Sequence, residues 1–597
     1  MGVPGFFLWL IKNYKNKKLI FNKDIILNNV HADSEIDINL RNKINNIDYL
    51  LLDTNCLIHP TCYSVINENN DLTDIDKLED LMILKILEYI EKIYEYVNPK
   101  KGIYIAIDGV APVAKIKQQR IRRHKSISDK QVWDNIKKKY NKEITNSWNS
   151  NAITPGTKFM DKLHNAFVIF IKKEKFNNLN IIYSSYLTPG EGEHKLLQYI
   201  NNHIDLSYVI YGLDADLIFL SLTTHSSNIF LLRESNEINK YNTEDILNYV
   251  DIEILRELIV STIKKYIIKE INILPELNNN LDFITWVNNI DNNQLINDFI
   301  FICYLLGNDF IPHIPSLEIY DNGIETLIIN YAKIYIELNL LNTQNNNNTG
   351  IIQKKFCNIN YFFFKKIINN LSLEEEYILK KNYNKKYKQC YDSDPYQKEL
   401  FKIENIQFKI NDPIKLGSDN HNEWRLRYYK HYWNINENEI EEFSKELVKQ
   451  YLIGIRWISL YYFDKCPSWN WYYPYNNPPF ISDINKYMNL FDFNKYNFEI
   501  GRPLKPFIQL LIVLPYSSNY LLPNQLRKLI INPKSSISHF YLKNFEQDFI
   551  NKKKYWMAIP ILPNLDINKI KYYFHKYKNE LNNIDNNRNI FIDIITN

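Results

Sequence analysis

The chain has 597 residues, too many for one hydrophobic core of ordinary size, so two or three cooperating units are expected. Hydrophobic residues make up 45% and charged residues 23%, the balance of a soluble globular protein. Net charge is only +4, which excludes a globally basic polyanion binder and confines any nucleic-acid site to a local patch. The abundance of Tyr, at 44 residues, and of Asn, Ile and Lys reads as nucleotide-composition bias. The cysteines, at 56, 62, 303, 357, 390 and 466, form no CxxC pair and have no neighbouring His cluster. That argues against structural zinc and fits a reducing compartment. No charged n-region precedes the apolar start, and Phe6 stands where a myristoylation signal wants Ser or Thr. The longest apolar runs, such as Phe507–Pro515, are too short to span a bilayer, so no membrane anchor is expected.

In chain order, residues 1–340 alternate short apolar runs with longer amphipathic ones. Strands are predicted over Tyr49–Leu52, Ile103–Ile107, Asn180–Ser184, Tyr208–Tyr211 and Ile229–Leu232. Helices are predicted over Leu78–Tyr96, Val113–Lys125, Gly192–Asn201 and Asn297–Leu306. This βα alternation predicts an α/β fold, a mostly parallel twisted sheet flanked by helices. Residues 341–420 read as a variable insertion or linker: Asn342–Thr349 holds four consecutive Asn, and 380–420 is rich in Lys, Asn and Asp. Residues 421–597 read as a second ordered, aromatic-dense α+β region that includes WNWYYPY.

Five places put acids where a parallel sheet collects its active site, outside the carboxyl ends of its strands. Asp53 ends the first predicted strand and Asp108 the second. Glu191 and Glu193 open a helix after the third. Asp214 and Asp216 follow the fourth, and Asp309 closes a long apolar helix. Singly, each reads as a helix cap or turn residue. Together, seven like charges would repel and shift one another's pKa values unless hard cations joined them. Mg²⁺ takes oxygen ligands and keeps waters, so two ions can share such a cluster and clamp both oxygens of a phosphodiester displacement.

The run from Lys115 to Lys125 has six cations in eleven residues. Lys115, Gln119, Arg122 and Arg123 recur at i, i+4, i+7 and i+8 and so share one helical face. A solvated basic face is the ordinary reading of such a helix. Here it begins seven residues after Asp108, and cations beside a carboxylate cluster make a phosphate pocket.

These residues resemble the 5′→3′ exoribonuclease family, with its cytoplasmic mRNA-decay branch and its nuclear branch. The resemblance covers most of the chain: MGVPGFFLWL, IAIDGVAPVAKIKQQRIRR, ITPGTKFM, TPGEGEHK, YGLDADLIFL, GNDFIPHIPSLEI, CPSWNWYYPY and GRPLKPFIQLLIVLP. It implies a PIN/FEN-like nuclease core in which the seven carboxylates bind two Mg²⁺ ions, with Mn²⁺ able to substitute. It implies that Lys115, Gln119, Arg122 and Arg123 hold the 5′-monophosphate of single-stranded RNA. It places His59 where the family stacks a base, with Trp469 or Trp471 as the partner ring. The second region would wrap the first and narrow the entrance against duplexes. A monomer working in the cytoplasm, or alternatively the nucleus, is the expectation.

The sequence also departs from the family. The long C-terminal domains of the cytoplasmic branch and the Cys-rich knuckle of part of the nuclear branch are not found. Val113 replaces a usually basic residue, and Phe480 and Ile508 are atypical. These features fit a compact viral or protist member. The competing readings are a flap-endonuclease-like DNA nuclease, which normally adds a helix-hairpin-helix not recognisable here, and an inactive RNA-binding scaffold, which would have lost a carboxylate.

Overall fold

The computed structural model describes residues 5–14, 19–28, 35–144, 148–176, 178–234, 247–274, 282–341, 350–353, 358–384, 390 and 392–596. Asn342–Thr349, expected as a loop, lies outside the described residues. The strands of the central sheet are β1 (Ile20–Phe21), β2 (Tyr49–Asp53), β3 (Gly102–Ala106), β4 (Asn180–Ser184), β5 (Tyr208–Tyr211), β6 (Ile229–Glu234) and β7 (Leu247–Asp251). Their spatial order is β1-β7-β6-β5-β2-β3-β4, and Ile595–Thr596 closes the β4 edge. β2 to β6 run parallel, whereas β1, β7 and the terminal strand pair antiparallel at the edges. Every residue of β2, β3 and β5 is buried, as a sheet covered on both faces requires. The five predicted strands are thus present. β7 escaped prediction because Leu-Asn-Tyr-Val-Asp carries no clean apolar alternation.

The chain leaves β2 for β3 and β4, then returns to lay β5 on the other side of β2. This reversal opens a crevice at the carboxyl ends of β2 and β5, where α/β sheets bind ligands. The helices around it are α1 (Asn55–Glu68), α2 (Val113–Lys139), α3 (Gly192–Asn202), α4 (Ala215–Thr223) and α5 (Asn292–Cys303). α2 runs to Lys139, well past the predicted end, because Lys and Gln are good helix formers even where apolar periodicity has stopped. Tyr304–Leu306 continues α5 as a 3₁₀ turn that leads into Asn308 and Asp309.

The second region is mainly helical. Its longest helix, α6 (Ile440–Phe463), is buried along most of its length. One apolar cluster includes Leu217 and Phe310 from the first region and Tyr451 and Trp457 from the second. Another joins Val113 and Ile116 of α2 to Phe507, Leu510 and Leu511 of α7 (Pro506–Val513). Within the stretch expected as a linker, Pro395–Glu404 is helical, and its Glu399 accepts from Lys139 and Tyr140 at 2.6 and 2.7 Å. Among the described residues, no helix is long and apolar enough to cross a membrane.

Candidate active site

Asp53 is the last residue of β2 and only 5% exposed. Asp108 lies two residues beyond β3. Asn55, at the start of α1, grips Asp108 twice: its amide donates to Oδ2 at 3.0 Å, and its oxygen accepts from the Asp108 N–H at 3.2 Å. The Gly192 N–H donates to the other Asp108 oxygen at 2.6 Å. A Cβ at Gly192 would lie 2.7 Å from Asp53 Oδ1 and 3.4 Å from Asp108 Oδ1, so only glycine lets the start of α3 approach both carboxylates.

Glu191 and Asp214 occupy the N-cap positions of α3 and α4, yet neither side chain makes a capping hydrogen bond. Asp251 and Asp291 head other helices of this protein and do cap them. Neither acid of the first pair is spent on its own helix, and the helix dipole favours negative charge there. Glu193 and Asp216 sit in the first turns of α3 and α4, 6% and 2% exposed.

Lys115 binds this group from α2. Its Nζ pairs with Glu191, with Asp309 at 2.9 Å and with Glu193 at 3.9 Å. Gln118 donates to Asp309 Oδ1 at 3.1 Å. Burial, with Asp108 and Asp214 nearby, pushes the Asp53 acid well above the carboxylate range. Burial raises Glu193 likewise, with Asp216 and Glu191 adding to it. Asp216 is pushed up to about 6 by burial and by Asp309. Against its own burial, Asp309 is held low by Lys115. One lysine thus neutralises one corner and leaves the rest short of positive charge. Hard divalent cations fit such an all-oxygen donor set.

A cleft of about 510 Å³ gathers these elements. Its lining brings Asp53, Asp108, Glu191, Glu193 and Asp214 together with Lys115, Gln119, Arg122 and Arg123. His59 of α1 also lines it, as do Asn55, Cys56, Tyr63 and Pro155. Asp216 and Asp309 stand behind this surface, tied to it through the contacts of Glu193 and Lys115. The Arg123 Nε is buried without a hydrogen-bond partner, an orphaned donor beside the cleft. Burial and the charges of Arg123 and Arg122 depress the His59 imidazole to about 4.

The tryptophans do not line the cleft. Trp471 stacks on Trp457 at 5.3 Å and packs against the large apolar cluster. Trp469 is half-buried at the foot of α2, where its carbonyl accepts from the Val113 N–H at 3.0 Å. Val113, atypical in sequence, is buried at this junction.

Several contributors escaped the sequence reading. Asn55 could have been suspected from its place two residues after Asp53. Tyr461 and Tyr462 could not: they end an apolar helix, yet their hydroxyls donate to Glu191 at 2.6 Å and to Asp216 at 3.0 Å.

Comparison with known proteins agrees with this geometry. Residues 1–235 match the family described as "XRN 5'-3' exonuclease N-terminus". Residues 289–405 and 382–594 match "Xrn1 helical domain". The chain is 30% identical to a 5'-3' exoribonuclease 2 of Candida albicans, over 95% of this chain and 71% of that protein. It is 28% identical to the Debaryomyces hansenii 5'-3' exoribonuclease 2, over 99% and 71%. With the human 5'-3' exoribonuclease 1 the identity is 31%, over 95% of this chain and 33% of the relative. A buried carboxylate cluster at the switch point of a parallel sheet, a cationic helix facing it and a family match along most of the chain lead to one assignment: the chain belongs to the XRN 5′-3′ exonuclease family.

Proposed function

We propose that the chain degrades single-stranded RNA processively from a 5′-monophosphate, releasing nucleoside 5′-monophosphates. Its family makes it a metal-dependent 5′→3′ exoribonuclease of RNA decay. The finer reading assigns Asp53, Asp108, Glu191, Glu193, Asp214, Asp216 and Asp309 to two Mg²⁺ ions, with Mn²⁺ accepted in their place. The single observation that carries it is the shared cleft, lined both by carboxylates and by the cationic face of α2.

When bound, the ions would supply an activated water and neutralise charge at the attacked phosphorus and the leaving oxygen. The side chains do the rest. Arg122 and Arg123 can engage a terminal phosphate in bidentate fashion, with Lys115 and Gln119 completing the pocket. Seating the 5′-phosphate there sets the next phosphodiester over the carboxylates, so position along the strand is measured from its end. His59, held neutral at physiological pH, offers a flat face to the leading bases. The Trp471 ring is engaged with Trp457 and neither Trp469 nor Trp471 lines the cleft, so the stacking proposal rests on His59.

Linear 5′-monophosphorylated RNA compared with a circle of the same sequence tests the reading. The linear strand should be consumed to mononucleotides while the circle stays intact. Rapid cleavage of the circle would make the chain an endonuclease.

A further inference from the structure

We infer that Tyr461 and Tyr462 are positioning residues, through which the second region sets the orientation of two metal-binding carboxylates in the first. The inference rests on the metal-centre reading above. Consecutive residues on a helix diverge by about 100°, so adjacency alone would not send both hydroxyls to acids. Yet the Tyr461 hydroxyl donates to Glu191 Oε1 at 2.6 Å, and the Tyr462 hydroxyl donates to Asp216 Oδ1 at 3.0 Å. The acceptors lie on different helices, α3 and α4, and 270 and 246 residues away in sequence.

The rings are fixed as firmly as the hydroxyls. Tyr461 stacks on His194 at 3.8 Å and on Trp457 at 4.6 Å, and meets Phe310 edge-on at 5.2 Å. His194 and Phe310 directly follow Glu193 and Asp309 in sequence. Tyr462 packs edge-on against Tyr304, on the turn that leads to Asp309. The end of α6 therefore touches every segment on this side of the cluster. Both residues are buried, at 3% and 4% exposed, and a buried phenol is normally satisfied by whatever acceptor is nearest. Here each hydroxyl donates to a carboxylate oxygen and so fixes the direction in which that carboxylate faces. Such support by a neighbouring donor orients ligands and typically changes metal affinity or activity by about 10–100-fold.

Tyr461→Phe and Tyr462→Phe keep the ring stack and delete only the hydroxyls. Binding of Mn²⁺ to the full chain, followed by calorimetric titration, and melting in EDTA separate the two roles. Each substitution should weaken Mn²⁺ binding by about 10–100-fold while the metal-free melting temperature stays at the wild-type value. A hydroxyl whose removal leaves Mn²⁺ affinity unchanged, whatever happens to melting, has no positioning role. Should a single variant prove too unstable to titrate, the other, which serves a different helix, decides on its own acceptor. If the wild-type chain shows no saturable Mn²⁺ binding, the metal-centre reading itself falls, and the inference with it.

Discussion

At Asp214 the backbone behaves as any residue heading a helix does, but the side chain does not close the cap. That difference sets Asp214 apart from the capping Asp251 and Asp291, and sequence cannot show it. What sequence does carry is the placement of Asp53, Asp108, Asp214 and Asp216 after buried apolar strands, because strand ends in a parallel sheet converge. Tyr461 and Tyr462 were illegible for the opposite reason: they read as the apolar end of a helix, and only tertiary contact supplies their acceptors. Asp214→Ala and Asp216→Ala should each lower the hydrolysis rate by more than about 100-fold, beyond the 10–100-fold typical of a group that merely supports a ligand. Far-ultraviolet circular dichroism should remain that of wild type. Turnover near wild type at saturating Mg²⁺ in either variant would remove that residue from the site.

α2 shows the limit of sequence at the scale of an element. Its i, i+4, i+7, i+8 spacing correctly sorts Lys115, Gln119, Arg122 and Arg123 onto the cleft face. The remaining cations of the run have other employment. Lys117 donates to the carbonyls of Tyr473 and Tyr475 at 2.8 and 2.7 Å, and Arg120 to those of Pro563 and Phe540 at 2.9 and 3.2 Å. The helix is thus a partition, with one face for the cleft and the other clasped by the second region. Arg122→Ala and Arg123→Ala should each cost on the order of 1.5–3 kcal/mol of preference for a 5′-monophosphate over a 5′-hydroxyl, roughly tenfold or more. Competition kinetics between the two ends measures this, and an unchanged ratio in both variants would reduce the face to a solvated one. On α1, His59→Ala should shorten the run of nucleotides removed per encounter, since a stacked base is worth about 1–3 kcal/mol. Run lengths equal to wild type under a heparin trap would refute the stacking role.

For the whole molecule, the α/β sheet was legible because buried parallel strands are continuous apolar runs. One apolar cluster contains residues of both the 1–340 and the 421–597 region, a long-range packing that no local sequence pattern announces. Protonation of the cluster is a further property of the molecule as a whole. Asp53, Glu193 and Asp216 bind protons more tightly folded than unfolded. At these three acids the native state holds more protons, and metal must displace them to bind. The gain in melting temperature from EDTA to saturating Mg²⁺ should therefore grow as pH rises from about 5 to about 8. Paired melting curves across that interval check this, and a gain that shrinks with rising pH would contradict it.

The central claim is that one cleft joins a 5′-monophosphate pocket to a metal-dependent hydrolytic centre. Its most direct measurement offers a single RNA with a 5′-monophosphate, 5′-triphosphate or 5′-hydroxyl end, each in Mg²⁺ and in EDTA. Rapid degradation is expected of the monophosphorylated strand alone, and only with Mg²⁺. Equal rates on all three ends, or hydrolysis that persists in EDTA, would contradict it.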